Sequence, residues 1–555
     1  MIWDASESSV RWPVLAALAM LILAGTYFRV WGLWAFYWTP DEALVLLISS
    51  KPTIQQVLDA AIYHPHPPLR YIVLHFMLKL SVSPVILRSI AFLPGVAMIP
   101  LFFFVGRRTA GTAAGLVMAT IATFSHAAIM LSQVMRTYML GTFLISLGVL
   151  SFFEYWQERK KRHLFLWCIS MTLALLSHYF AILVAISVGS VWLHRIYASR
   201  PRRTEFIRAV WANVPIAIVA AVSYVIHLSS RNPYRWWINI DKERLVAEFP
   251  DSFSDFVINA VRLFGYLFLS PHALWAILLT VVGVAALWAM KRKDVASVII
   301  LTFVATIALT LSDRYPFGGG RQSFYLLPFV SMSIGAALQF AWNWVRSSFD
   351  GSTNSGSARR VSNRREYVSH LLLALFLFVF VSTSFVIAQR DYERYRYGRG
   401  SGELPVTRDD VYALMQHLKE HVGRGDVVLA DGQSMAYAQL AAGHPPEPIS
   451  GTVSKIQFEG LEFLYSNRNY SFSFNSEETL WRSFEDLFGH TEIWDGATIW
   501  VVSIGWQPIK RVLGSGICGP PMVSAWEHGG ASVFGFRGSA VAEQIKRRYG
   551  DGVDD

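Results

Sequence analysis

Several apolar segments of this chain are long enough to cross a membrane. The segments WPVLAALAMLILAGTY, VILRSIAFLPGVAMIPLFFFVG and HLLLALFLFVFVSTSFVIA approach or exceed the length that a helix needs to span a hydrocarbon core of roughly 30 Å. The composition agrees, because 53% of the 555 residues are hydrophobic and only 16% are charged. A polytopic α-helical membrane protein is therefore predicted.

The first apolar run and the overall charge each have two interpretations. Residues 13–31 have the length of a signal peptide, but acids precede the run and no small-x-small cleavage site follows, which favours a retained anchor. The net charge of +10 is typical of nucleic-acid binding, but the basic residues stand at the ends of apolar runs, where membrane topology explains them. We therefore expect no nucleic-acid partner.

Basic clusters between the apolar runs predict the topology. If each cluster faces the cytoplasm, the apolar stretch between two clusters must cross the membrane and return. This parity predicts about eleven transmembrane helices with the N-terminus inside, outer loops at 32–83 and 230–268, and a last helix at 368–388 that leads to an external C-terminal domain. The five clusters lie at residues 107–108, 159–162, 195–208, 291–293 and 359–365.

A further basic segment, residues 390–399, follows the last predicted helix on the side assigned as external. Its arginines alternate with Tyr392, Tyr395 and Tyr397, as in a juxtamembrane band that meets lipid phosphate. The segment fits equally well with a topology in which the inside and outside assignments are exchanged. Five clusters support the first parity and one opposes it, so the first is retained.

The composition changes near residue 400. DDVYALMQHLKEHV and SMAYAQLAAG predict helices, whereas GDVVLADG, TIWVVSI and ASVFGFRG predict strands. The predicted organisation is a transmembrane domain at 1–390 and a soluble extracytoplasmic α/β domain at 391–555.

Two adjacent acids, Asp41 and Glu42, stand at the head of the apolar segment FYWTPDEALVLL. They fit a helix start, with Thr39 as N-cap, Pro40 at the first helical position and Glu42 reaching back to the cap. That explanation leaves Asp41 with only a helix-dipole interaction, worth roughly 0.3 to 1 kcal/mol. A structural and a catalytic interpretation of the pair both remain open at this point.

Further ionisable residues fall in the predicted outer loops and turns. Ionisable groups at the ends of membrane helices are costly unless they take part in binding or catalysis. A carboxylate that takes a proton from an acceptor hydroxyl, with cations that hold a leaving phosphate, would suit transfer from a lipid-phosphate donor. The residues concerned are His64, His66, Arg70, Arg136, His178 and Arg321.

Most of these residues also have a purely structural interpretation. His64 and His66 alternate with prolines and would decorate a stiff turn, and His178 would cap a helix. Arg136 would extend to the membrane interface as an ordinary arginine, and the three glycines before Arg321 would only form a turn. The sequence alone does not decide between these interpretations and ligand binding.

Five motifs together resemble a known family: TPDEA, HPHPPLRY, SQVMRTYML, SHYFAIL and GGGRQSFYLLPF. In this order, over roughly residues 15–340, the chain resembles GT-C glycosyltransferases of the dolichyl-phosphate-mannose protein mannosyltransferase type and their bacterial relatives. The resemblance implies a GT-C-like bundle, an inverting transferase that uses a polyprenyl-phosphate sugar, and an active site between the bundle and the outer domain. It also implies Asp41 as the catalytic base, with Arg136 and Tyr138 matching the arginine and tyrosine of a Q-E-A-R-x-Y pattern.

The chain departs from that pattern at Val134, where relatives often have an acid. A site with two carboxylates that share a divalent cation is thereby disfavoured, and no metal ligand or required cofactor is assigned. Arginines that oppose the charge of the leaving phosphate are the preferred arrangement.

The expected function is hexosyl or pentosyl transfer from a polyprenyl-phosphate donor to a glycan, lipid or protein acceptor on the outer face of a bacterial inner membrane. A transporter or flippase for a lipid-linked or anionic substrate is the main alternative. Transporters usually place ionisable groups near the midplane and often show repeated halves, and neither feature is seen in the sequence. A third interpretation is an envelope assembly or sensor protein whose outer domain binds glycan.

Overall fold

The computed structural model divides the chain into two compact units. One comprises Met1–Leu33, Pro65–Leu69 and Arg88–Gln389, and the other comprises Trp34–His64, Arg70–Leu87 and Arg390–Asp555. The residues described below are 12–33, 40–62, 66–198, 202–228, 252–268, 270–312, 317–350, 408–430, 434, 439, 453–458, 461–466, 480–481, 483–484, 488, 496–504, 522–528 and 531–549.

Helices dominate the described residues up to 350. Seven are long and apolar enough to cross a membrane, and nine if each of two bent pairs, α6–α7 and α12–α13, is one span. The predicted polytopic helical architecture is thus confirmed, while the helix predicted at 368–388 lies outside the described residues. The helices are α1 (Trp12–Leu33), α2 (Pro40–Ser49), α3 (Ile54–Ala61), α4 (Leu69–Leu78), α5 (Pro84–Thr109), α6 (Thr112–Phe124), α7 (His126–Ser132), α8 (Thr137–Glu158), α9 (Lys161–Ser177), α10 (Ala181–Ala198), α11 (Arg202–Ser223), α12 (Phe253–Phe268), α13 (Ala273–Ala289), α14 (Lys293–Leu311) and α15 (Leu327–Asp350).

A single extended residue, Ser125, produces the bend of 56° between α6 and α7. Its backbone N–H closes α6 on Ile121, and its hydroxyl accepts a hydrogen bond from Ala128 N at 3.3 Å, which caps α7. The same hydroxyl donates to Leu267 O in α12 at 2.9 Å. One serine therefore ends one helix, begins the next and holds the bend against a neighbouring helix.

Contacts bring four of the basic clusters to one end of the first unit. Arg108 lies 3.1 Å from Glu154, and Arg292 donates to the carbonyl of Arg108 at 3.0 Å. Arg195 pairs with Asp294, and Arg159 pairs with Glu205 at 2.8 Å. We call this the basic end. The membrane face on which it lies remains a prediction from the charge pattern.

The C-terminal region forms a mixed six-stranded sheet flanked by α16 (Arg408–His421) and α17 (Gly538–Tyr549), as the predicted α/β class requires. The strand order is β2-β3-β1-β4-β6-β5, in which β1 runs parallel to β3 and β4 and the other pairs are antiparallel. The strands are β1 (Val427–Ala430), β2 (Val453–Phe458), β3 (Leu461–Ser466), β4 (Thr498–Ile504), β5 (Met522–His528) and β6 (Ala531–Arg537). Of the helix predicted from SMAYAQLAAG, the structure describes Ser434 and Gln439, both helical.

Candidate active site

Arg136 stands at the N-cap of α8, at the end of the first unit opposite to the basic end. Its backbone is extended, with φ −104° and ψ 146°, and its side chain is buried. No side chain caps the first turn of this 22-residue helix at that position. A guanidinium beside the positive end of a helix dipole is an arrangement that favours a bound anion.

A fully buried arginine that the sequence analysis missed, Arg29, fixes the segment before Arg136. Its guanidinium donates to Ser132 Oγ at 3.1 Å and to the carbonyls of Ala122 and Thr123 at 2.6 and 3.3 Å. In return, Gln133 Nε2 donates to Phe28 O at 2.9 Å. These bonds, which we call the Arg29 clamp, tie the end of α1 to the α6–α7 break and to the approach to Arg136.

Three of the predicted residues form one cluster. The ring centroids of Tyr138 and His178 lie 5.0 Å apart, and that of His66 lies 6.1 Å from Tyr138 and 6.3 Å from His178. Tyr138 and His178 are buried, whereas His66 is half-buried. We call this group the His–Tyr cluster. It brings residues more than a hundred positions apart in sequence to the same end as Arg136.

Arg321 begins a short 3-10 helix, Arg321–Leu326, and is exposed. Within that helix Tyr325 stacks on Phe180 at 5.1 Å, and Phe180 in turn lies 4.0 Å from the ring of His178. The hydroxyl of Tyr325 shares a hydrogen bond of 2.5 Å with Thr306 in α14. Arg321 therefore starts an element that is packed against the His–Tyr cluster through Phe180.

The two acids occupy the first turn of α2, which begins at Pro40 as predicted. Glu42 is fully buried, although a glutamate that only caps a helix start is normally exposed to water. Burial of a carboxylate is costly, so interactions beyond those of the helix start must stabilise Glu42. The side chain of Asp41 and the whole of His64 lie outside the described residues.

Arg70, in the first turn of α4, is also buried, with 1% of its surface exposed. Its Nη2 donates to the hydroxyl of Tyr71 at 2.8 Å, and the guanidinium carbon lies 4.7 Å from the centre of that ring. Within the described part of the chain, Nε and Nη1 have no hydrogen-bond partner and no acid pairs with the guanidinium. A buried cation with unused donors has the chemistry of an anion-binding group.

His75 lies on α4 with Arg70, and unlike Arg70 it was missed by the sequence analysis. One turn beyond Tyr71 on α4, its Nδ1 lies 3.0 Å from Ser49 O, which joins α4 to the end of α2. Its Nε2 is buried and has no partner among the described residues. The spacing of four residues from Tyr71 places both on one helix face, which is the signal that was available in the sequence.

The sequence profile of one family matches residues 73–441, which is more than half of the chain. The chain belongs to a family of unknown function (DUF6541). No curated protein matches the chain.

Solved structures similar to this DUF6541 protein include ArnT from Cupriavidus metallidurans bound to undecaprenyl phosphate, with 12% identity and a TM-score of 0.52 over 94% of this chain and 97% of that one. The archaeal oligosaccharyltransferase AglB from Archaeoglobus fulgidus, in complex with an inhibitory peptide and a dolichol-phosphate, has 12% identity and a TM-score of 0.48. That match covers 78% of this chain and 64% of AglB, so the chain spans less than two thirds of that protein. The likeness to ArnT shows the fold: this is an integral membrane protein of the GT-C fold.

One group in the described residues has the spacing of metal ligands, Glu154, Glu158 and His163, whose ligand atoms lie within 4.8 Å of one another. It is at the basic end of this DUF6541 protein, away from Arg136 and the His–Tyr cluster. Arg108 pairs with Glu154 at 3.1 Å and Lys160 with Glu158 at 2.8 Å, so both acids already have a cation. This group does not support a metal at the candidate site.

Proposed function

We propose that the protein is a glycosyltransferase that moves a sugar from a polyprenyl-phosphate donor to an acceptor hydroxyl. The observation that carries the proposal is the buried guanidinium of Arg70, whose Nε and Nη1 are left without partners in the described residues. Within a GT-C fold, a donor with a phosphate oxygen would satisfy these groups, and the same phosphate is the leaving group of the reaction.

In the proposed reaction Asp41 takes the proton of the acceptor hydroxyl. The acceptor oxygen then forms a bond to the anomeric carbon, and the bond between that carbon and the phosphate oxygen breaks, with its electron pair retained by the phosphate. Arg70, Arg136 and Arg321 would oppose the charge that develops on the phosphate. A single displacement of this kind inverts the anomeric configuration, and no metal is required by this proposal.

The remaining predicted residues take supporting roles in the proposal. The half-buried His66 and the hydroxyl of Tyr138 offer hydrogen-bonding groups for sugar hydroxyls, with His178 packed beside both. Glu42 keeps the start of α2 in place, so that the neighbouring carboxylate is held in position. The glycan, lipid or protein acceptor would be reached on the outer face of a bacterial inner membrane, with the C-terminal domain extracytoplasmic.

The test is mass spectrometry of polyprenyl-linked sugars and envelope glycans in cells that lack the gene. The cells are complemented with the native chain, with Asp41→Asn or with Asp59→Asn at matched membrane levels. Asp59 is the control because it is an exposed acid of α3, where it accepts a hydrogen bond from Gln55 at 2.9 Å.

We expect the donor to accumulate and one glycan to lose a residue in the null and Asp41→Asn cells, and Asp59→Asn to restore the native profile. Restoration by Asp41→Asn would refute Asp41 as the base. A transporter or flippase would instead leave the sugar composition of every product unchanged in purified vesicles while altering which leaflet holds the lipid.

A further inference from the structure

A cavity of about 800 Å³ lies at the basic end of the first unit, between α10 and the turn that joins α13 to α14. Trp156, near the end of α8, forms part of its wall, whereas Arg136 begins the same helix. At about 1.5 Å per residue the two are separated by roughly 30 Å along the helix. The cavity is therefore distinct from the candidate active site.

Cations dominate the rim of this cavity. Arg195 lines it and pairs with Asp294, the one acid of the lining. Lys291 and Lys293 also line it, and no acid among the described residues pairs with either. The ammonium of Lys293 lies 5.4 Å from the centre of the Trp288 ring. The lining thus carries an excess of positive charge.

The backbone of Lys291 has a positive φ of 60°, in the left-handed region that glycine or asparagine usually occupies after a helix. For another residue this conformation costs roughly 1 to 2 kcal/mol. Arg159, which follows α8, has the same conformation with φ 55°, and a cation that follows a helix is favoured by the helix dipole. In this conformation Lys291 lines the cavity.

Two groups around the cavity offer hydrogen bonds. Helix α14 starts here, and its N-cap residue Arg292 makes no side-chain hydrogen bond to the first turn, in which Asp294 is the acidic residue. The indole N–H of Trp156 has no partner among the described residues. Its ring is held by the guanidinium of Arg159, 3.9 Å from the ring centre, and by that of Arg195 at 4.9 Å.

The lower part of the lining is apolar. Val191 and Leu301 belong to helices long enough to span the membrane, and the rings of Trp156 and Trp288 stand at the level where those helices end. Tryptophan at this level is typical of the membrane interface. An occupant that matches the lining has an anionic group at the rim and an apolar chain below it.

We propose that this cavity binds the phosphate headgroup of an anionic membrane lipid. The tendency of basic residues to collect on one membrane face explains the lysines, but it explains neither the cavity nor the indole N–H of Trp156, which has no partner among the described residues. The inference does not depend on the proposed glycosyl transfer, because it uses no residue of the candidate active site.

The test is native mass spectrometry of the full chain in detergent, titrated with phosphatidylglycerol and, in parallel, with zwitterionic phosphatidylcholine. The variant is Lys291→Gln with Lys293→Gln. The control is Lys161→Gln with Arg203→Gln, which removes the same charge from exposed positions that belong to the predicted inner clusters but lie outside the lining. Thermal unfolding of both double variants verifies that they fold.

We expect phosphatidylglycerol to bind the native chain and the control equally, and the Lys291 and Lys293 double variant to bind about 30-fold more weakly. Trp156→Phe keeps an aromatic ring, although a smaller one, but removes the N–H, and should weaken binding about fivefold. Equal binding by the double variant and the control, or equal binding of phosphatidylcholine, would overturn the proposal.

Two competition arms identify the source of the phosphate. Displacement of phosphatidylglycerol by undecaprenyl phosphate at similar concentration supports the proposal and extends it to a carrier lipid, because both ligands join a phosphate to an apolar chain. Displacement by inorganic phosphate at that same concentration contradicts it, since the apolar wall would then contribute nothing.

Discussion

Replacement of Arg29 by methionine should loosen the segment that leads to Arg136. Arg29 is fully buried, and it joins α1 to the end of α6 and to Ser132 in α7. Methionine fills a similar volume but donates no hydrogen bond. The carbonyls of Ala122 and Thr123 at the end of α6 would then lose the donor that the structure shows for them.

The magnitude follows from those carbonyls. A buried polar group left without a partner costs about 1 to 3 kcal/mol, so two carbonyls give about 2 to 6 kcal/mol. Removal of the buried guanidinium offsets part of this free-energy cost, because the charge no longer has to be desolvated on folding. We therefore expect a net loss of about 2 to 4 kcal/mol, concentrated at the α6–α7 break rather than spread over the unit.

Hydrogen exchange of the full chain in nanodiscs measures this locally. Peptides that cover residues 126–140 should exchange at least about tenfold faster in Arg29→Met, and the rate of the proposed sugar transfer should fall. The control is Thr26→Val on the same helix, where the lost hydroxyl donates to Ile22 O, one turn earlier. Unchanged exchange in residues 126–140 of Arg29→Met would refute the clamp.

Three further predictions concern separate parts of the chain. Arg70→Met should weaken binding of undecaprenyl phosphate about 10- to 100-fold in native mass spectrometry, whereas Arg70→Lys should recover part of it, and native affinity in Arg70→Met would contradict phosphate recognition. Burial, reinforced by the neighbouring charge of His421, lowers the pKa of His417 below its usual value, so the folded state binds that proton less tightly than the unfolded state. Stability is then fully present above about pH 6.5 and falls as the pH drops below it, which exchange of β5 and β6 at pH 7.5 and 5.5 should show and His417→Phe should abolish. Gly283→Ala should lower the thermal unfolding temperature, because the new methyl group would clash with the backbone carbonyl of Ser333 in α15, at a cost of about 1 to 3 kcal/mol. An unchanged unfolding temperature would show that α13 and α15 can move apart without loss of stability.

Local sequence signals predicted the elements that depend on local chemistry. The Thr-Pro-Asp-Glu stretch placed the start of α2 at Pro40, and the hairpin parity brought Arg136 and His178 to one side. Within the described residues, the apolar runs correspond to the helices found. These features follow from helix capping and membrane thickness, which act over short stretches of chain.

Long-range contacts could not be predicted in this way. Arg29 looks like an isolated arginine in an apolar run, and the partners of its guanidinium in the clamp lie 93 to 103 residues away. The burial of Glu42 and the unused donors of Arg70 depend on neighbours that no local pattern specifies. The sheet order β2-β3-β1-β4-β6-β5 is likewise set by pairings between distant strands.

The Arg29 clamp couples the position of α1 to the α6–α7 break. Only 17% of the apolar stretch of α1 is fully buried, and Met20, Leu23 and Tyr27 are exposed, so one face of the helix is available to lipid. Because the clamp bonds α1 to both sides of the α6–α7 break, a movement of α1 would act on that break as a whole. We therefore expect a thinner or thicker bilayer to act, through α1, on the segment that leads to Arg136.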